Sequence, residues 1–492
     1  MIRSPMVRTS LGFVGVALAC LFFADLEISA VNPWGELGRL GLGIVTPDFT
    51  AVDELGTALL RTVAFALVGV ALGAVGGFGL ALVFDYRLVR VGCAFVRAIH
   101  ELFWALIFLQ CFGLHPLTGV LAIAIPFAGV FGKVYAEILD EQDPLPARAL
   151  PPGTGRVARF LFARVPDAWP HLASYTAYRL ECGLRSSAIL GFVGMPTLGF
   201  HLESAFNEGY YSQVGALLIT FYLLIAALRV WARPRLIPIY LAVAPFCLGT
   251  GLPIVWGNVG RFFTQDIVPA PLRGDGGGWD ALWPWLEQVL VQQALPGIGM
   301  TVVLTQIALV ITGALTLLAF PLISRHFTGR IGGTLGHVVL VVARSTPEYM
   351  LAYILLQLWG PSMLPAVIAL ALHNAGIIGH LIGRRSNEIR LRPDAPDGRV
   401  ERYGYEILPR VYGPFLAFLF YRWEIIMRET AILGILGITT LGFYVDSAME
   451  ALRFDVAMLL ILVTATLNIG VDALARYLRR RLRLRTSPVY ES

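Results

Sequence analysis

Seven ionisable side chains lie inside otherwise apolar stretches of this 492-residue chain: Arg179, Glu181 and Arg185 in one stretch, Arg422, Glu424, Arg428 and Glu429 in another. An unpaired charge at the centre of a bilayer costs at least about 2.5–3.5 kcal/mol, so groups placed there need partners. Glu181 and Arg185, like Glu424 and Arg428, stand four residues apart on one helical face, which predicts ion pairs. Two chemistries remain open. The pairs fasten their helix to its neighbours, or some of the groups line a pathway in which a surplus of guanidinium favours an anionic solute. Glu101 and Glu348 precede the two sets, with His100 beside the first and Pro347 beside the second, and are the simplest partners for the arginines. His373 and Asn374 stand where the earlier copy has Pro126 and Phe127. The lone histidine reads as a hydrogen-bonded packing residue or as a ligand or proton group.

Other chemistry is excluded by the residues themselves. There is no His-Glu-x-x-His, no Gly-x-Ser-x-Gly and no metal-spaced cluster, so no catalytic residues, no metal site and no enzyme are expected. The only lysine, Lys133, follows Gly132 but precedes Val134. A phosphate-binding Walker loop needs Ser or Thr after its lysine, so this chain has no such ATPase site of its own. The five cysteines (Cys20, Cys93, Cys111, Cys182, Cys247) form no Cys-x-x-Cys and lie in or beside apolar runs, as small packing residues do.

The elements that must position these charges are membrane helices. Residues of the hydrophobic set make up 57% of the chain and charged residues 14%, against about 25% charged in an ordinary soluble domain. At roughly 20 residues per span there is room for about a dozen helices. Candidates lie near 10–26, 57–84, 93–113, 117–138, 173–199, 212–232, 236–256, 298–323, 334–359, 363–383, 414–442 and 456–475. The net charge of +5 is almost wholly arginine. It falls on alternate loops: Arg3 and Arg8, Arg87 and Arg90, 148–164, 229–235, Arg325 and Arg330, 384–410 and the tail 476–485. The opposite loops carry acids, among them Glu36, Asp48, Glu203 and Glu208. The positive-inside rule then puts both termini in the cytoplasm, with lipid as the surrounding partner and no nucleic acid implied. Residues 1–30 also read as a secretory signal with Ile28-Ser29-Ala30 as a weak cleavage site. Uncleaved insertion preserves the even span count and the charge alternation.

The chain is one unit written twice. Residues 178–205 align without a gap to 421–448 at an offset of 243, with 15 of 28 positions identical, and 97–132 aligns to 344–379 at an offset of 247, with 14 of 36 identical. Equivalent points are separated by six spans, so the repeat is parallel, as in one class of alternating-access transporters. The halves are 1–235 and 236–492. After each charged set comes a glycine tract, Gly191, Gly194 and Gly199 in one half and Gly434, Gly437 and Gly442 in the other. Such glycines serve close helix packing or a flexible gate. Each half also has a long inward loop, 139–172 and 384–413, with Gly155-Arg156-Val157 or Gly398-Arg399-Val400 and then Pro166 or Pro409, eleven residues after the glycine.

In these motifs the chain resembles the inner-membrane permeases of binding-protein-dependent ABC importers, most closely the phosphonate-type branch. That branch has Arg-x-Glu-x-x-x-Arg followed by Ala/Val-x-Leu-Gly-x-Val-Gly. Here the pattern reads Arg179-Leu180-Glu181-Cys182-Gly183-Leu184-Arg185, then Ala188-Ile189-Leu190-Gly191-Phe192-Val193-Gly194, and it returns from Arg422 to Gly437. The resemblance covers about 55–232 and 295–475. It implies two tandem type I importer halves of about six helices each, all-α, joined in one chain. It also implies inward loops that dock a cytoplasmic ATPase through an Glu-Ala-Ala-type coupling helix. Gly153 and Pro166 keep the family's thirteen-residue spacing, with Ala147 where Glu is usual, and the second copy has Pro396 in the glycine position.

The resemblance further implies two copies of a separate ATP- and magnesium-binding subunit, with no cofactor on this chain, and a periplasmic protein that delivers a phosphonate, phosphite or phosphate. Coupling is expected at Gly153, Gly155, Arg156, Pro166, Gly398, Arg399 and Pro409. The rival reading is a proton-coupled secondary transporter of the 6+6 major-facilitator type. Against it, no Gly-x-x-x-Asp-Arg-x-Gly-Arg-Arg loop follows the second helix of either half, and the long inward loops follow the fourth helix of each half.

Overall fold

The computed structural model describes all residues except 1–3, 31, 144, 152, 275–276 and 485–492. Arg3 and Arg485 of the positive-inside pattern therefore lie outside the described residues. The architecture is all-α, with no strand among the described residues. In chain order the first helices are α1 (Pro5–Cys20), α2 (Leu55–Leu82), α3 (Arg87–Ala98), α4 (Glu101–Phe112), α5 (Pro116–Glu141), α6 (Val165–Ile189), α7 (Leu198–Asn207), α8 (Tyr211–Ala226) and α9 (Ile237–Cys247). There follow α10 (Leu295–Ala319), α11 (Arg330–Ser345), α12 (Glu348–Trp359), α13 (Met363–Glu388), α14 (Leu408–Ile435), α15 (Leu441–Glu450) and α16 (Phe454–Arg481).

Among the described residues, five helical segments are long and apolar enough to cross a membrane, or up to seven if each bent pair is one span. The pairs are α3 with α4, bent by 89°, and α11 with α12, bent by 91°. α1, α8 and α9 are apolar but shorter. α6 and α14 are long, but they carry the charged sets that the sequence places in apolar surroundings. Each of the twelve candidate stretches contains a helix, although 10–26 and 236–256 run on past the helix ends at Cys20 and Cys247, and the span count that length and apolarity alone support is smaller.

The chain divides into two compact units, Leu37–Pro269 and Met1–Glu36 with Ala270–Ser492. These boundaries differ from the sequence halves 1–235 and 236–492, and the helix contacts explain why. α9 opens the second sequence half but packs on α2 in the first unit, and α1 packs on α10 in the second. In that second unit Phe13 of α1 lies edge-on to Trp423 at 5.0 Å and 5.2 Å from Phe420, and Gln306 donates to the Phe13 carbonyl at 3.1 Å. Each unit thus takes its outer helix from the other half of the sequence.

Packing in the first unit centres on α2 against α5. Gly69, Gly73 and Gly77 repeat every four residues on α2, and a Cβ on any of them would strike Ile123, Phe127 or Phe131 of α5. A stripe of small residues lets two helices approach closely where water supplies no driving force. In the second unit α13 is the hub, packed on α10, α11, α12 and α14.

The loops 139–172 and 384–413 both end in a widened turn. Phe160–Arg164 and Arg402–Ile407 are π-helical and run directly into Val165-Pro166 and Leu408-Pro409. Proline has no N–H, and its ring crowds the carbonyl four residues back, so the preceding turn opens to longer-range bonding. The same device precedes Pro296, where Leu290–Ala294 is π-helical.

Candidate functional site

Glu101 and Glu348 are the first residues of α4 and α12, directly after the two sharp bends. A carboxylate is favoured at the positive end of a helix, which helps hold both in place. In the first unit the Ser186 hydroxyl donates to Glu101 Oε1 at 2.8 Å, and His100 Nε2 lies 3.9 Å from the other oxygen. Arg179 donates from Nε to the Tyr175 hydroxyl at 3.0 Å, and its guanidinium sits over the Phe127 and Tyr175 rings at 5.3 and 5.7 Å. Arg185 reaches back to the Cys182 sulfur at 3.7 Å.

The second unit builds more at the equivalent positions. Arg422 donates through Nε to the Asn374 side-chain oxygen and through Nη2 to Glu429 Oε1 at 3.2 Å. Asn374 donates to Glu429 Oε2 at 3.2 Å and to the Leu370 carbonyl at 2.8 Å. His373 faces Glu348 across 3.6 Å, while its Nδ1 meets the Thr346 carbonyl at 2.8 Å. At the 243 and 247 offsets, Pro126, Phe127 and Ser186 have become His373, Asn374 and Glu429. An aromatic seat for one guanidinium is replaced by a buried polar network around the other.

Beside the expected i, i+4 spacing, α14 carries a longer-range pairing. The pair that forms is Arg422 with Glu429, seven residues apart. Seven residues are close to two full turns, so both side chains lie on one stripe, and Asn374 from α13 fills the gap between them. A search limited to adjacent turns misses this pairing. Glu181 is half-buried and Glu424 is buried on the same two helices.

The glycine tracts show close backbone contact. A Cβ on Gly191 would collide with the Phe200 amide nitrogen, and one on Gly199 with the Ala188 carbonyl oxygen. The second unit repeats this at Gly434 with Phe443 and at Gly442 with Ala431. Between the partners the chain turns through Gly194 and Gly437, both left-handed, at φ 84° and 87°. The end of α6 and the start of α7 therefore touch main chain to main chain, as do α14 and α15.

α7 and α15 each carry a half-buried acid at the same repeat position, Glu203 and Asp446. Burial raises Glu203 above the usual carboxylate range, and burial together with Glu450 pushes Asp446 up to about 6. An unfolded Asp titrates near 3.9. Between about pH 3.9 and 6 the folded state therefore holds a proton that the unfolded state has released, and stability falls as pH rises through that window. Asp446→Asn is expected to flatten this slope in thermal unfolding curves taken from pH 4 to 7.

On the loops 139–172 and 384–413, Gly153 is left-handed at φ 90°, and Gly155 and Gly398 each stand just before a short helical turn. Arg156 is taken up inside the chain by Asp85 and by the Tyr86 ring at 5.2 Å. Arg399 is exposed. In the second loop Glu406 receives Arg392 at 2.8 Å and Arg410 at 3.0 Å, and the hydrogen bond from Arg392 holds its carboxyl below the usual range. Among the exposed charges of these loops stand large exposed apolar side chains. Val157 and Phe162 are 54% and 77% exposed, and their repeat equivalents Val400 and Tyr405 are 83% and 72%. The sequence reading named Val157 and Val400 only within the Gly-Arg-Val motif and passed over Phe162 and Tyr405, although the 243 offset pairs them.

Known proteins resemble this chain across its length. A phosphate-import permease protein of Mycolicibacterium smegmatis is 25% identical over 468 residues, covering 89% of this chain and 88% of the relative. A phosphite transport system permease protein of Stutzerimonas stutzeri is 27% identical over 223 residues, 43% of this chain and 81% of the relative. A putative cryptic phosphonate transport system permease protein of Escherichia coli strain K12 is 30% identical over 101 residues, 20% of this chain and 83% of the relative. No protein-family model and no solved structure matches.

Proposed function

Because this chain belongs to the phosphonate-type permeases of ABC importers, a family of multi-pass inner-membrane transport subunits, we propose that it forms the whole path for inward movement of a small phosphorus oxyanion. In this reading about twelve helices cross the membrane as two six-helix halves, 1–235 and 236–492, with both termini in the cytoplasm. Two copies of a separate ATPase bind the loops 139–172 and 384–413 from inside, and a periplasmic binding protein delivers the solute from outside. ATP and magnesium belong to the ATPase subunits. The solute class follows the relatives, which are named for phosphate, phosphite and phosphonate.

The observation that carries the coupling role is the duplicated apolar pair, Val157 with Phe162 and Val400 with Tyr405, exposed on the two inward loops. Large exposed apolar side chains rimmed by arginines mark a surface that another protein covers. Nucleotide-driven closure of the ATPases would then move both loops together and rock the halves between two access states. Arg179 and Arg422 are the guanidinium groups best placed to attract an anion, while Glu429 tempers the charge of Arg422.

Phe162→Ala with Tyr405→Ala is expected to weaken copurification of the ATPase. Loss of one anchoring aromatic costs about 2 kcal/mol or more, which is roughly a thirtyfold loss of affinity. Undiminished copurification would remove the loop assignment. In liposomes holding this chain, its ATPase and its binding protein, labelled phosphite or methylphosphonate uptake should require ATP. Uptake on a proton gradient without ATP would instead establish the secondary-transporter reading.

A further inference from the structure

Glu348, His373 and Glu429 come from α12, α13 and α14, and each offers a ligand atom within 4.8 Å of the other two. Glu348, His373 and Glu429 are 8%, 1% and 7% exposed. The orientation of His373 is fixed from outside this trio. A peptide carbonyl only accepts, so the 2.8 Å contact with Thr346 requires the proton on Nδ1. In the neutral ring Nε2 then carries a lone pair, aimed at a carboxylate oxygen 3.6 Å away. Two electron-pair donors facing each other at that distance in a buried site repel unless a proton or a metal cation lies between them.

We propose that these three residues form a binding site for one divalent transition-metal ion, of the zinc or manganese class. Ligand atoms around a tetrahedral zinc ion stand about 3.3–3.5 Å apart, given bonds of about 2.0–2.2 Å. The 3.6 Å separation of Glu348 and His373 is close to that, and Glu429 needs only a small side-chain movement to complete the set. A proton on Nε2 would satisfy one pair of atoms; three donors converging from three helices suit an ion that accepts all three. The supporting contacts have the form seen around metal ligands, with the far ring nitrogen held by a backbone carbonyl and the carboxylate held by Asn374 and Arg422. The first half has no such site. Pro126 and Ser186 stand in place of His373 and Glu429, and the Ser186 hydroxyl itself donates to Glu101. The ion would pin α12, which begins at the sharp bend, to α13 and α14 in one half only.

The test uses the full chain purified without an affinity metal. Elemental analysis is expected to find one equivalent of zinc or manganese per chain. Chelation should lower the unfolding temperature, and added zinc chloride or manganese chloride should restore it. His373→Gln should abolish the bound metal, and Asn374→Ala, outside the ligand set, should weaken it about 10–100-fold. His380→Gln, a buried histidine on the same helix but outside the trio, should retain it. If His373→Gln does not fold, the Asn374 variant and the wild-type titrations decide. A metal-free wild-type chain whose unfolding temperature responds to neither salt overturns the proposal, as does an imidazole NMR signal showing the proton on Nε2.

Discussion

Arg422→Gln is expected to destabilise the protein by about 3–5 kcal/mol, because it leaves the Glu429 carboxylate buried without its counter-charge. Glu429 is 7% exposed, and its two oxygens are divided between Arg422 and Asn374. Asn374 can still donate to it, but an amide does not neutralise a charge. The double variant Arg422→Gln with Glu429→Gln removes both charges and keeps groups that can hydrogen-bond to Asn374. It should regain part of the loss, with a coupling energy of about 1–3 kcal/mol. Unfolding of both variants and the wild type is measured in chelator, so that a bound ion does not enter the cycle. Arg179→Gln should cost less, since the aromatic seat of Arg179 contributes about 0.5–2 kcal/mol. Equal losses at Arg179 and Arg422 would show that the two guanidinium groups are held alike and that the network adds nothing.

The repeat, the helices and the paired glycines were legible in the sequence because each recurs at a fixed offset. Apolar runs mark helices, and identical residues 243 positions apart mark equivalent places. Two things were not legible. The ion pairing depended on a third residue from another helix: Asn374 reads as a substitution for Phe127, and only the packing of α13 on α14 makes it the bridge between Arg422 and Glu429. The composition of the compact units was hidden for a similar reason. Nothing in the apolar sequence of α1 says that Phe13 will find Phe420 and Trp423, more than 400 residues on, rather than its own half. Span counting suffered from the charged helices, since α6 and α14 are long but interrupted by the very groups that make them interesting. The duplicated loops were found by their spacing, but the exposure of Val157, Phe162, Val400 and Tyr405 was not, because charge is conspicuous in sequence and exposure is not.

Gly442→Ala and Gly199→Ala should be among the most damaging small substitutions in the chain. In each case the added methyl meets a peptide carbonyl, Ala431 or Ala188, and backbone inside a packed helix has no rotamer by which to yield. Overpacking typically costs about 1–3 kcal/mol and sometimes more, and here the upper end applies because relief requires α15 or α7 to move as a body. Gly470→Ala provides the opposite sign. Gly470 is helical, and a Cβ there meets nothing within 4 Å, so alanine should stabilise by about 0.4–1 kcal/mol through the unfolded chain. Thermal unfolding and ATP-driven uptake, measured on the same preparations, separate the two roles open to these glycines. Close packing predicts that Gly442→Ala and Gly199→Ala lose unfolding temperature and uptake together. A hinge would show itself as an unchanged unfolding temperature with slowed uptake, and the fit of α15 against the end of α14 would then be a state the transporter passes through rather than a fixed joint.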